Sequence, residues 1–215
     1  MALVFSDLDG TLIKGLSSEK RFVVFLLRGR ILHLRQLAAF LIFTLRWFTH
    51  LRKDVWKKNK AYLTGLRLNK IQDLAEQFVA QALLPNLRPI VKRRLENHLA
   101  QGDIVVFLTG TPDFIAWPIA KQLGVTHIAA TVCDTKNGCF TSCPPGIHPL
   151  GAAKLQIAEQ MCRNFNTSLA KCTAYADSAS DVALLATVAQ PVAVYPDSKL
   201  RQIAKRRGWE IIGEK

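Results

Sequence analysis

The stretch ALVFSDLDGT, residues 2–11, opens the chain with an apolar run, ALVFS, that ends in a polar cluster. A run this short and this apolar is the pattern of a strand buried on both faces of a parallel sheet, and it delivers its polar residues at the carboxyl end. Comparable runs recur as IVVFLTGT (104–111), HIAATV (127–132), CTAYADS (172–178) and PVAVYP (191–196). Helical patterns separate most of them, over 86–101, 113–123, 151–163, 181–189 and 197–207, with Gly124 as the stop of the second. Strand and helix in alternation predict an α/β fold, a Rossmann-like parallel sheet sandwiched by helices, with chemistry at the carboxyl ends of the strands.

Residues 14–83 break the alternation, because they hold no strand-like run ending in polar or glycine residues and read as helices throughout. The last of these helices is the clearest. Ile71, Leu74, Ala75, Phe78, Val79, Ala82 and Leu83 fall on one apolar stripe, and Asn69 with Gln72 predicts a capping box at its start. Residues 1–13 and 84–215 therefore form the expected core, and 14–83 an inserted α-helical unit. Further along, Asn137-Gly138 between short β-type runs predicts a hairpin.

A chain of 215 residues is long enough for one domain with an insert, and 49% hydrophobic with 21% charged residues excludes wholesale disorder. The net charge of +13 is localised: Lys14 to Lys70 hold 14 basic residues against Glu19 and Asp54 alone, a net of +12, and the rest of the chain carries +1. The partner of such a segment is an anionic surface, a nucleic acid or an anionic substrate. Residues 31–51 are very apolar, but only ten residues lie between Arg35 and Arg46. A membrane span needs about 20, so this is read as a buried or interfacial helix. The five cysteines form an odd set without CxxC spacing, and no secretory signal precedes the first strand, which predicts a cytoplasmic location. Cys133, Cys139, Cys143 and His148 match no common zinc spacing.

The chemistry concentrates at the strand ends. Asp7 and Asp9 are two apart in an extended segment, so they point the same way, and Gly10 and Thr11 follow in a turn. Two carboxylates facing one site repel unless a cation or a shared proton compensates. A hard divalent cation bound by oxygen is the economical answer, and Mg²⁺ is the usual one where phosphate also binds. A second acidic pair, Asp177 and Asp181, follows another apolar strand. Thr109, Gly110 and Thr111 end a third, and Lys154 falls in an early helical turn.

In that order, FSDLDGTL, FLTGTP, Lys154 and YADSASD resemble the four motifs of the haloacid dehalogenase superfamily. The branch resembled is the one with a helical cap inserted after the first motif, which includes phosphoserine phosphatases and phosphatidylglycerophosphatases. The resemblance implies a Mg²⁺-dependent phosphomonoesterase. Asp7 would be the nucleophile that forms an aspartyl-phosphate, and Asp9 the acid and then the base. Asp7, the Asp9 carbonyl and Asp177 would hold the metal, and Asp181 would act through water or by orienting Lys154. Thr109 and Lys154 would serve catalysis, while the turn of Gly10 and Thr11 and the amides of Gly110 and Thr111 would bind the phosphoryl group. The superfamily's dehalogenases lack the second aspartate and its transport ATPases carry threonine there, so Asp9 implies complete hydrolysis. A catalytically inactive protein of the same fold, attached to an anionic membrane or nucleic acid through its basic cap, is the alternative.

The cap bears on substrate. Phosphoserine phosphatases place a glutamate nine residues after the nucleophile for the substrate ammonium; that position here is Leu16, and Glu19 lies three residues on. Residues 21–30, RFVVFLLRGR, and the apolar 37–45 run bounded by Arg35, Arg46 and Trp47 suit a bilayer interface. A peripheral contact of residues 14–70 with the anionic inner face of a membrane, and a lipid phosphate as substrate, are thus set beside a small metabolite phosphate and a cap whose apolar residues form its own core. Nucleic acid is disfavoured, since the basic residues alternate with long aliphatics rather than exposed aromatics. The sequence shows no obligate protein partner.

Overall fold

The computed structural model describes residues 2–51 and 55–213. Its strands are β1 (Leu3–Ser6), β2 (Ile104–Pro112), β3 (His127–Thr131), β4 (Thr135–Lys136), β5 (Cys139–Phe140), β6 (Thr173–Ala176), β7 (Gln190–Val194) and β8 (Glu210–Ile212). Six of them form one sheet in the order β3-β2-β1-β6-β7-β8, and every pairing in it is parallel. The order runs outward from β1 through β2 to β3, then returns to β6 on the other side of β1. That reversal opens a crevice at the carboxyl ends of β1 and β6, the place where ligands bind in open parallel sheets.

Why the strands are apolar without interruption follows from where alternate residues go. Val4, Val105, Phe107, Tyr175, Val192 and Val194 enter one core, and Leu3, Phe5, Val106, Leu108, Ala174 and Ala176 the other. Successive strand residues face opposite sides, and both sides are covered. The first face packs against α1 (Ser18–Arg28), α4 (Leu68–Phe78), α5 (Pro89–Ala100) and α6 (Asp113–Gln122) through Phe22, Phe78, Val91 and Ile115, among others. The second packs against α7 (Ala152–Asn164), α8 (Val182–Leu185) and α9 (Ser198–Arg207) through Ala158, Leu184 and Leu200.

The described residues between β1 and β2 form no strand of the sheet. They hold α1, α2 (Leu34–Leu51), α3 (Val55–Lys58), α4, which a π turn extends over Val79–Leu83, and α5. The predicted stripe on α4 is buried at Ile71, Ala75, Phe78, Val79 and Leu83. The capping box is not formed. Arg67 occupies the N-cap, and Asn69, two residues past it, takes the Lys70 N–H on its own side chain at 2.8 Å. Asn137 and Gly138 both have positive φ, 53° and 73°, as a two-residue turn between antiparallel β4 and β5 requires.

Helix α2 divides the apolar 37–45 run between two environments. Phe43 is buried against Val55 and Ala61, so it belongs to the insert's own small core. Leu34, Leu37, Leu41, Leu45 and Phe48 are exposed at helical spacing on another face. No described helix is long and apolar enough to cross a membrane. Arg52, Lys53 and Asp54 of the basic segment lie outside the described residues.

Candidate active site

Past the end of β1 the Asp7 N–H still donates to the Tyr175 carbonyl of β6 at 3.0 Å, which keeps the chain extended for one more residue. It then turns sharply. Gly10 takes φ +81°, its N–H reaches the Ile13 carbonyl at 2.9 Å, and the Ile13 N–H reaches the Leu8 carbonyl at 2.9 Å. The turn folds Asp9 back beside Asp7. On β2, the register with β3 shifts between Leu108 and Pro112, and this irregularity turns Thr109, Gly110 and Thr111 toward the same place.

Asp9 is held by three donors. The Ser18 N–H reaches its Oδ1 at 2.9 Å, the Ser18 hydroxyl donates to the same oxygen, and the Thr111 hydroxyl donates to Oδ2 at 3.1 Å. The Thr109 hydroxyl donates in turn to Thr111 Oγ1 at 3.1 Å. Burial pushes the Asp9 carboxyl above the ordinary aspartate range, and the nearby Asp7 charge adds to this, although the Ser18 and Thr111 donors pull it down. Asp9 is thus the carboxyl set to carry a proton.

Lys154 stands near the start of α7, buried, with Nζ 2.7 Å from Asp7 Oδ2 and 2.9 Å from Asp181 Oδ2. Burial works against its charge, but the Asp7 and Asp181 carboxylates outweigh that and hold the ammonium above the ordinary lysine range. For Asp181, burial pushes the carboxyl up and Lys154 pulls against it. Asp181 closes a short turn, Ala179–Asp181, just after β6, which is why a residue four places beyond Asp177 can reach back to α7.

Pairing of Ser6 with Tyr175 sets Asp7 and Asp177 at the carboxyl ends of adjacent strands. The two carboxylates there offer oxygen only, which is what a hard divalent cation takes. Among the described residues no group of three or more His, Cys, Asp or Glu gathers as a metal cluster. The residues fit Mg²⁺, which uses one or two carboxylates and keeps several waters, and they do not fit a zinc cage. The Cys133 thiol is buried and pushed up to about 12, chiefly by that burial.

These groups floor a cavity of about 800 Å³ whose lining includes Asp7, Asp9, Thr109, Gly110, Thr111 and Lys154. Of the other sequence-predicted residues, Asp181 reaches the floor through Lys154, and Asp177 lies behind the Gly10 turn. Thr11 is placed elsewhere: its side chain is fully buried under the turn and does not line the cavity. The insert supplies the opposite wall with Glu19, Phe40, Trp56, Lys60 and Tyr62, and His148 and Leu150 close one end. Ser18, Lys60, Tyr62 and His148 were not legible as site residues. Leu16 is exposed, whereas Glu19 faces the cavity.

The sequence pattern described as haloacid dehalogenase-like hydrolase matches residues 4–186. A protein named phosphoserine phosphatase from Mycobacterium tuberculosis is 31% identical over 217 residues, covering 98% of this chain and 70% of that one. A protein named histidinol-phosphatase from Neisseria meningitidis is 30% identical over 163 residues, 73% of each. Among solved structures, a protein with unknown function from Bordetella pertussis Tohama I has a TM-score of 0.74 at 27% identity, covering 99% of this chain and 98% of the other. A phospho-aspartyl intermediate analogue of phosphoserine phosphatase, with a TM-score of 0.62 at 17% identity over 100% of this chain and 93% of that one, shares the fold.

Proposed function

This chain belongs to the haloacid dehalogenase-like hydrolases and is a phosphatase of that family, and on this footing we propose that it hydrolyses a phosphomonoester through an aspartyl-phosphate on Asp7. The observation that carries the reading is the division of labour between two neighbouring carboxyls. Asp7 is ion-paired to Lys154 at 2.7 Å, while Asp9 is raised by burial. A raised, buried carboxyl beside one held in an ion pair is suited to serve as the acid next to the nucleophile. An Asp7 oxygen attacks phosphorus in line as the ester P–O bond breaks, and Asp9 gives its proton to the departing oxygen. Asp9 then takes a proton from the water that attacks phosphorus and frees Asp7. Lys154 keeps Asp7 aimed and offsets the charge of the phosphate, and Thr109 and the Gly110 amide hold phosphoryl oxygens. The Thr111 hydroxyl is committed to Asp9, so its part is to orient the acid.

Asp7, the Asp9 carbonyl and Asp177 would hold Mg²⁺, which when bound supplies positive charge against the phosphoryl group. In the test, phosphate release from an aryl phosphate is abolished by a chelator, restored by Mg²⁺ and inhibited by beryllofluoride. Activity that persists through thorough chelation would overturn metal dependence, and indifference to beryllofluoride would count against Asp7 as nucleophile. An inactive scaffold is disfavoured by the complete cavity floor. The names of the relatives, which include phosphoserine and histidinol phosphatases, favour a small metabolite phosphate. Free thiols at all five cysteines support a reducing cytoplasm as the setting.

One observation favours a second reading, in which the insert rests on an anionic membrane and the substrate is a lipid phosphate. The exposed α2 face of Leu34, Leu37, Leu41, Leu45 and Phe48 lies within the segment of net charge +12. An amphipathic helix with cations around an apolar stripe binds at the headgroup boundary. Co-sedimentation with anionic vesicles, reduced on neutral ones and weakened by Leu41→Ser with Leu45→Ser, is the expected result. Absence of binding at low salt would return the substrate to a small soluble ester.

A further inference from the structure

The wall that the insert places over the cavity has a definite charge pattern. Glu19 is its single carboxylate, and both of its oxygens are engaged: Lys60 Nζ lies 2.5 Å from Oε2, and the Tyr62 hydroxyl donates to Oε1 at 2.9 Å. Lys60 is almost wholly buried, so the pair is shielded from solvent and its charges cancel. Burial and the Glu19 charge hold the Tyr62 phenol well above its ordinary range, so it remains a donor to that carboxylate. Two further cations, Lys20 and Lys57, line the same wall, and among the described residues neither has a carboxylate partner. The remaining lining there is uncharged, the apolar Val23, Phe40 and Trp56 with the polar Ser17 and Asn59. A cleft with one excess sign of charge and walls of low dielectric focuses that charge on its contents.

Resting on the phosphatase reading, we propose that this wall selects phosphomonoesters whose alcohol carries a second anionic group, and that the Glu19–Lys60–Tyr62 cluster excludes alcohols carrying an ammonium. The phosphate end is anchored at Asp7, so the alcohol must extend toward the insert. An ammonium there meets an excess of lysines and a carboxylate already neutralised. A carboxylate or phosphate there meets Lys20 and Lys57, while the carbon chain between the two ends lies along Phe40 and Trp56. Lys60 is in this sense a specificity residue: it cancels the one negative charge that could have recruited a cation.

The test compares phosphorylated ω-hydroxy acids with phosphorylated amino alcohols of matched chain length, and uses an aryl phosphate without a second charge as reference. For the unmodified protein, kcat/KM for the acid series should exceed that for the amine series by about tenfold or more at low ionic strength. The preference should shrink as salt is raised. Lys60→Met leaves Glu19 uncompensated and should shift the acid-to-amine ratio toward the amines; Lys57→Glu, at an exposed position that does not challenge folding, should shift it the same way. Because each variant is read as a ratio between substrates, partial loss of folded protein cancels. Hydrolysis of the aryl phosphate with no preference for the acids, or a ratio unchanged in both variants, would overturn this inference and leave the phosphatase reading intact. Failure to release phosphate from any of the three would overturn both.

Discussion

The α-carbon of Gly10 faces the Asp177 carboxylate so closely that a Cβ built on it would stand 2.1 Å from Oδ2. No side chain fits between the first turn and β6, and φ +81° at Gly10 disfavours one in any case. Gly10→Ala should therefore lose about 1–2 kcal/mol to the left-handed backbone alone. It should also displace Asp177, raising the Mg²⁺ concentration for half-maximal activity by about tenfold or more. A Mg²⁺ titration that overlays that of the unmodified protein would contradict the placement of Asp177 at the metal.

Asp7→Asn should end turnover with a melting curve close to that of the unmodified protein, because the amide keeps the side chain's size and removes its nucleophilic charge. Asp9→Asn should slow turnover by about 10² to 10⁴-fold, the usual worth of a positioned acid and base. Single-turnover phosphate release measures both, and a loss under threefold for Asp9→Asn would exclude it as the acid.

Lys154→Met should be the most destabilising change at the site. It leaves Asp7 and Asp181 facing each other with no cation between them, and breaking a buried pair of this kind costs about 3–5 kcal/mol. Urea unfolding without added metal is the measurement. Asp181→Asn should cost less, because Lys154 retains Asp7 at 2.7 Å.

Away from the site, Asp103 accepts the Ala2 N–H on Oδ1 at 2.7 Å and meets His98 Nδ1 at 2.9 Å on Oδ2. Burial raises its carboxyl, but these partners outweigh burial and leave it below the ordinary value of 3.8. A depressed carboxyl adds stability that is complete above the unfolded value and disappears as pH falls through the folded one. Asp103→Asn should thus be less stable by about 1–2 kcal/mol at neutral pH. The difference should close below 3.8. Parallel denaturant curves across that range check it, and a pH-independent difference would assign the effect to packing.

Those parts of the fold that rest on local pattern were legible. Each strand that bears a predicted site residue ends a buried apolar run, so Asp7, Thr109 and Asp177 could be placed from sequence alone. β8 carries no such signal, since Glu210–Ile212 is three residues long at the sheet edge and has no room for a pattern. Phe43 falls in an apolar run whose two sides differ, and only its contact with Val55 and Ala61 separates them. Lys60 sits in WKKNK, which reads as a solvated charge cluster, and its partner Glu19 is 41 residues away. Ser18 carries no motif, because its role arises from where α1 begins in space. Wherever a residue's function depended on a distant partner, periodicity could not report it.

The bond from Ser18 to Asp9 makes the acid a shared possession of two parts of the chain. Two of the three donors that fix Asp9 come from the first residue of α1, and only the Thr111 hydroxyl comes from the sheet. Lifting α1 away from the sheet would leave Asp9 with one anchor and open it to water. On the proposed mechanism such an arrangement works as an interlock: the acid is correctly set only while the insert is seated, so proton delivery and enclosure of the cavity stand or fall together. An ester reaching the floor with α1 unseated would meet the nucleophile without its proton donor, and cleavage would wait for the helix to dock.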